Sequence, residues 1–124
     1  MSIRVTSVNG ENLTFIVEGN LSSKDRERIM EICHQTKNLY MEGYPHGRPK
    51  RQKLAKAGII YKKWEECPGV TICYLPKKLK NGLQITALPS AEKGKSEAEL
   101  HRLAQQWQQD VVDAIEFEFG IANI

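Results

Sequence analysis

The sequence predicts an α+β domain in which two amphipathic helices pack on one face of a mostly antiparallel sheet. Three observations predict it: alternating apolar runs near the start and again over residues 70–88, a capped helical stripe after the first run, and a longer capped stripe near the end. With 124 residues, 40% of them apolar and 27% charged, the chain has the composition of one globular domain spanning residues 1–124.

Ile3 and Val5, then Leu13, Phe15 and Val17, alternate with polar neighbours at the strand period of two. Asn9-Gly10 lies between them and suits a tight reversal, so a β-hairpin is expected. Ser22 or Ser23 can cap the helix that follows, with Asp25 and Glu27 near its positive end. Ile29, Ile32, Cys33, Thr36, Leu39 and Tyr40 share one helical face, His34 lies off it, and Gly43 is a natural terminator.

Pro45, Gly47 and Pro49 oppose a regular element, so a basic loop or turn region is expected at about residues 44–58. It includes a short helical turn through Leu54 and Ala57, and Gly58 then leads into a short strand, Ile59-Ile60-Tyr61. Residues 70–75 read as a clear strand with Val70, Ile72 and Tyr74 on one face and Thr71, Cys73 and Leu75 on the other. Its pairing has two solutions: a tight hairpin closed by Asn81-Gly82, or residues 70–75 against 83–88 across a longer basic loop. The second is preferred because its arms bury more apolar surface. Ser96-Glu97-Ala98-Glu99 is a capping-box sequence opening the last helix. Leu100, Leu103, Ala104, Trp107, Val111, Ala114 and Ile115 form its stripe, which ends near Gly120. No internal repeat is evident.

The net charge of +3 conceals a segregation. Residues 48–80 hold ten basic side chains against Glu65 and Glu66, a surplus of eight, while the rest of the chain has eight basic and thirteen acidic residues. Such a field attracts a polyanion. Arg48, Lys50, Arg51, Lys53, Lys56, Lys62 and Lys63, with Lys77, Lys78 and Lys80 in the expected loop, are the candidate phosphate contacts. Tyr44 and Trp64 are candidates for base stacking; Tyr61 and Tyr74 are also interleaved with the charges, where core packing competes. Within this region Gly47-Arg48-Pro49-Lys50-Arg51 resembles the core of an AT-hook, with His46 in place of the arginine that precedes the motif's glycine. The resemblance covers five residues. It implies an extended segment lying in the narrow minor groove of A·T-rich DNA, with one groove-inserted guanidinium fewer.

Other chemistries find less. Cys67 and Cys73 lack zinc-knuckle spacing, and His34, His46 and His101 have no mutual i, i+4 relation, so no metal or cofactor is expected. Cys33 and His34 are helix neighbours pointing about 100° apart, which denies them a nucleophile–base bond. Cys33 and Cys73 are expected to be buried apolar residues, and Cys67 a turn residue that turns reactive only if exposed among its basic neighbours. No phosphate-binding loop, dinucleotide fingerprint or serine elbow is present, so an enzyme is disfavoured. The three cysteines, the absence of a bilayer-length apolar run and a start without a signal-peptide core together lead to an expected cytoplasmic protein with reduced thiols and no membrane partner.

The expected function is therefore non-enzymatic DNA or RNA binding through the basic middle. The alternative is an adaptor or subunit making protein contacts through the last helix and the apolar tail Phe117, Phe119, Ile121 and Ile124. That tail is expected to be buried, against its own sheet or, less favoured, across a homodimer.

Overall fold

The computed structural model describes residues 3–9, 13–42, 70–89 and 94–120. The first hairpin is β1 (Arg4–Asn9) and β2 (Thr14–Glu18), followed by α1 (Ser23–Glu42). The second hairpin is β3 (Ile72–Leu79) and β4 (Gly82–Pro89), followed by α2 (Glu97–Glu118). All pairings are antiparallel, in the order β1-β2-β4-β3. The helices cover one face of this sheet, as the α+β reading expects. The expected loop at 44–58, its helical turn, the strand at 59–61 and the terminator Gly43 lie outside the described residues. No helix of the described residues is long and apolar enough to cross a membrane.

The caps form as the sequence implies. Ser22 Oγ accepts from the Asp25 N–H and Asp25 Oδ2 accepts from the Ser22 N–H, a reciprocal box with aspartate in the glutamate position. Ser96 Oγ accepts from the Glu99 N–H at the start of α2. At the other end Gly120 takes φ 63°, a conformation glycine adopts without steric cost.

Every residue assigned to the two helical stripes is buried, including Thr36, whose hydroxyl donates to the Ile32 carbonyl 2.8 Å away. The stripes meet Phe15 and Val17 of β2, Leu83, Ile85 and Ala87 of β4, and Ile72 of β3 in one core. Trp107 lies at its centre, fully buried, and stacks on Tyr74 with ring centroids 5.3 Å apart. Asp110 and Gln108 of α2 are also buried, although neither belongs to the apolar stripe.

Three expectations are corrected. Cys73 is exposed, because it alternates with the buried Ile72 and points away from the helices. Phe117 is 55% exposed: α2 continues helically through Glu118, and that turn carries Phe117 away from the sheet. Phe119 packs partly against the core, while Ile121 and Ile124 lie outside the described residues.

The third correction concerns the longer basic loop expected between residues 75 and 83, most of which is strand. β3 continues through Pro76, Lys77 and Lys78, pairing Lys77 with Gln84, Lys78 with Leu83 and Leu79 with Gly82. An edge strand tolerates the missing N–H of Pro76, so extended pairing continues where a loop was expected. Lys80 and Asn81 form the turn, and Gly82 is the first residue of β4.

Gly82 serves the sheet rather than the turn. A Cβ there would stand 2.4 Å from the Val17 carbonyl oxygen, since β2 passes directly alongside. Gly82→Ala should therefore force the two central strands apart. The expected loss is about 1–3 kcal/mol, read as a lower denaturant midpoint; an unchanged midpoint would show that the strands accommodate the methyl group.

Although the residues do not repeat, the architecture does. From Arg4 to Ile72 and from Thr14 to Gly82 is the same 68-residue step, and each hairpin is followed by a helix. The antiparallel seam between β2 and β4 relates the two ββα halves by an approximate two-fold.

Candidate nucleic-acid interface

The second hairpin runs out of the core toward its turn, which leaves Lys77, Lys78 and Lys80 exposed. None of the three pairs with a carboxylate among the described residues. Alternation sends Lys77 to the helix-free face of the sheet with Cys73, Leu75 and Leu79, and sends Lys78 to the other. Lys80 occupies the turn.

The helix-free face is built in cross-strand rows. One row runs Thr6, Ile16, Gln84 and Lys77; the next runs Arg4, Glu18, Gly82 and Leu79. A further row holds Thr14, Thr86 and Leu75, with the two threonine hydroxyls 3.0 Å apart. Leu75 is 59% exposed and Leu88 is exposed beside Cys73. This face mixes neutral polar and aliphatic groups, with cations gathered at the end nearest Lys80.

Arg4 belongs to that end and was not legible as a site residue. Its Nε donates to Glu18 Oε2 at 2.9 Å, and the Thr6 hydroxyl donates to Glu18 Oε1 at 3.0 Å. The Thr6 hydroxyl first, then the Arg4 guanidinium, holds the Glu18 carboxyl below its ordinary range. The carboxylate thus stays charged and fixes one edge of the guanidinium. The terminal nitrogens of Arg4 have no partner among the described residues. Arg4, Ile16, Glu18, Gly19, Leu79, Lys80 and Asn81 line an open depression of about 740 Å³. The Gly19 N–H donates to the Asn81 carbonyl at 2.9 Å and ties the end of β2 to the hairpin turn that borders it.

The helix layer has the opposite charge. α2 carries Glu97, Glu99, Asp110, Asp113, Glu116 and Glu118 against Arg102 alone. Burial, with the neighbouring Asp113 charge, raises the Glu116 carboxyl above its ordinary range. Arg28 of α1 ties down the end of this helix by an ion pair to Glu118 Oε1 at 2.7 Å.

Of the residues proposed from sequence, Lys77, Lys78 and Lys80 are exposed near the turn of the second hairpin, Lys77 and Lys78 on opposite faces of the sheet. Arg48, Lys50, Arg51, Lys53, Lys56, Lys62 and Lys63, the stacking candidates Tyr44 and Trp64, and Tyr61, His46 and Cys67 lie outside the described residues. Tyr74 is partly buried against the core, and one face of its ring is stacked on Trp107. The remaining chemistry is subdued. Burial pushes the Cys33 thiol up to about 12, which keeps it protonated and unreactive at neutral pH. Among the described residues no three His, Cys, Asp or Glu side chains gather as metal ligands. No family model, curated protein or solved structure matches the chain.

Proposed function

We propose that the chain is a small, non-enzymatic nucleic-acid-binding protein whose basic central segment contacts phosphates. One observation supports this reading: Lys77, Lys78 and Lys80 are exposed near the turn of the second hairpin, pair with no carboxylate among the described residues, and close the sequence region with a surplus of eight positive charges. Exposed cations that make no ion pair among the described residues suit phosphate oxygens, because few side-chain contacts must be broken before binding. The acidic α2 directs a polyanion toward the sheet and away from the helices.

The exposed Leu75 and Leu88 favour the second reading, an adaptor whose helix-free sheet face meets protein. A binding assay separates the two. Replacing Lys77, Lys78 and Lys80 together by alanine should weaken binding to a pool of DNA and RNA fragments. The slope of log affinity against log salt should flatten by about two to three. A second variant with Arg48, Lys50, Arg51 and Lys53 replaced should act in the same direction. Failure of the parent chain to retain either pool near physiological salt, or a salt slope unchanged in both variants, would exclude the nucleic-acid reading in favour of the protein partner.

A further inference from the structure

Resting on the nucleic-acid reading, we infer that the depression at the end of the helix-free sheet face is a subsite for one nucleotide of a single strand: its phosphate lies between Arg4 and Lys80, and its base lies over Ile16 and Leu79.

The residues of the depression divide by chemistry. Ile16 and Leu79 supply aliphatic surface, Arg4 and Lys80 supply cations, Gly19 and Asn81 bring backbone close, and the one anion of the lining, Glu18, is engaged by Arg4 Nε and the Thr6 hydroxyl. A base needs an apolar surface for its face and its phosphate needs cations, and both stand here within one opening. Its volume of about 740 Å³ accepts a group of nucleotide size.

Arg4 differs from an ordinary surface cation in being held. Glu18 sits directly opposite it in the β1–β2 register and engages Nε, while Thr6, two residues along, anchors the second carboxylate oxygen. A guanidinium has five N–H donors, so this arrangement restrains the side chain yet leaves its terminal nitrogens for a phosphate. Glu18 and Thr6 are positioning residues. Lys77 continues the same face on β3, at the opposite edge of the sheet from Arg4. With strands spaced at about 4.8 Å, the path from β1 to β3 is roughly 14 Å, a span that a few nucleotides cover.

The aliphatic surface selects the class of nucleic acid. Aliphatic side chains lining a depression can touch a base only if its face is free, and a duplex keeps its base faces stacked. The described part of this face carries no aromatic ring, so the phosphates contribute most of the affinity and sequence preference is weak.

The test uses the full chain with fluorescent single-stranded DNA and single-stranded RNA of one sequence, and with the corresponding duplex, across a salt series. The parent should bind the single strands more tightly than the duplex, and the DNA and RNA arms identify the preferred sugar. Arg4→Ala and Lys80→Ala should each weaken single-strand binding several-fold and reduce the salt slope by about 0.7. Lys24→Ala, on the helix layer, should change neither, and all three should retain the parent's thermal midpoint. The Ile16 and Leu79 methyl resonances should move when a nucleoside monophosphate is added.

An Arg4→Ala variant that binds like Lys24→Ala, while the triple lysine variant still loses affinity, would overturn the subsite and leave the broader function standing. Tighter binding of the duplex, or unmoved methyl resonances, would overturn it too. A parent chain that binds no nucleic acid overturns both readings.

Discussion

Trp107→Ala is expected to lower stability by about 3–5 kcal/mol, a large share of what holds a domain of this size together. Trp107 is fully buried between the helix layer and the sheet, and its ring stacks on Tyr74 at an interplanar angle of 20°. Truncation removes the largest side chain of the core and leaves a cavity bounded by elements from both ββα halves. Its Nε1 has no hydrogen-bond partner among the described residues. The indole therefore contributes through volume and stacking, and its N–H is a cost to the fold. Trp107→Phe should consequently recover more than half of the loss. Denaturant titration of both variants checks this. Equal losses in the two would mean that the N–H has a partner after all, and a loss below about 1 kcal/mol for alanine would mean that the core collapses around the gap.

The second large effect concerns Tyr40 and Asp110. The Tyr40 hydroxyl of α1 donates to Asp110 Oδ2 of α2 at 2.5 Å, and both residues are buried between the helices. Tyr40→Phe keeps the ring but withdraws a donor from a buried carboxyl group. The expected cost is about 1.5–3 kcal/mol, the range for a hydrogen bond to a charged partner. Burial first, and the Asp110 charge second, push the Tyr40 phenol far above its usual range.

The sign of the pH dependence follows. Below about pH 10 the phenol is protonated in both folded and unfolded chains, and its contribution is complete. Above that, the unfolded chain releases the proton and the folded chain keeps it, so stability falls as pH rises. Tyr40→Phe should be less stable at neutral pH and should lack this part of the alkaline decline. Parallel stability curves for the two proteins from pH 8 to 11 would refute the coupling.

How far the sequence was legible depends on the distance over which each feature is encoded. Local periodicity carried the helices: Ile29 through Tyr40 and Leu100 through Ile115 fall on their stripes because a helix's buried face repeats every three to four residues. The open face was partly legible in the same way, since Leu75 alternates with Tyr74. What failed was competition between local signals. Pro76 and three lysines looked like a loop, yet pairing with β4 from Lys77 to Leu79 outweighed their poor strand character. Gly82 looked like a turn residue because an Asn-Gly pair is a turn signal; its constraint is the Val17 carbonyl, encoded 65 positions away.

The candidate site was legible only where it was continuous. Lys77, Lys78 and Lys80 announce themselves as a charge cluster. Arg4 did not, since its meaning depends on Glu18 across the hairpin and on Lys80 two strands away, and no spacing rule links those positions. The buried Asp110 was equally silent. An aspartate at the margin of an amphipathic stripe reads as solvated until a tyrosine from another helix is placed against it.

The approximate two-fold has a consequence for how the molecule comes apart. α1 lies against α2 and against β3 of the other half, while α2 reaches back to β1. Each half therefore covers part of its partner's outer strand, and the two are joined along β2 and β4 besides. Neither half is a self-sufficient folding unit: alone, each would present an unzipped strand edge and an apolar sheet surface to water. Unfolding is accordingly expected as a single cooperative event, with coincident transitions from the two halves.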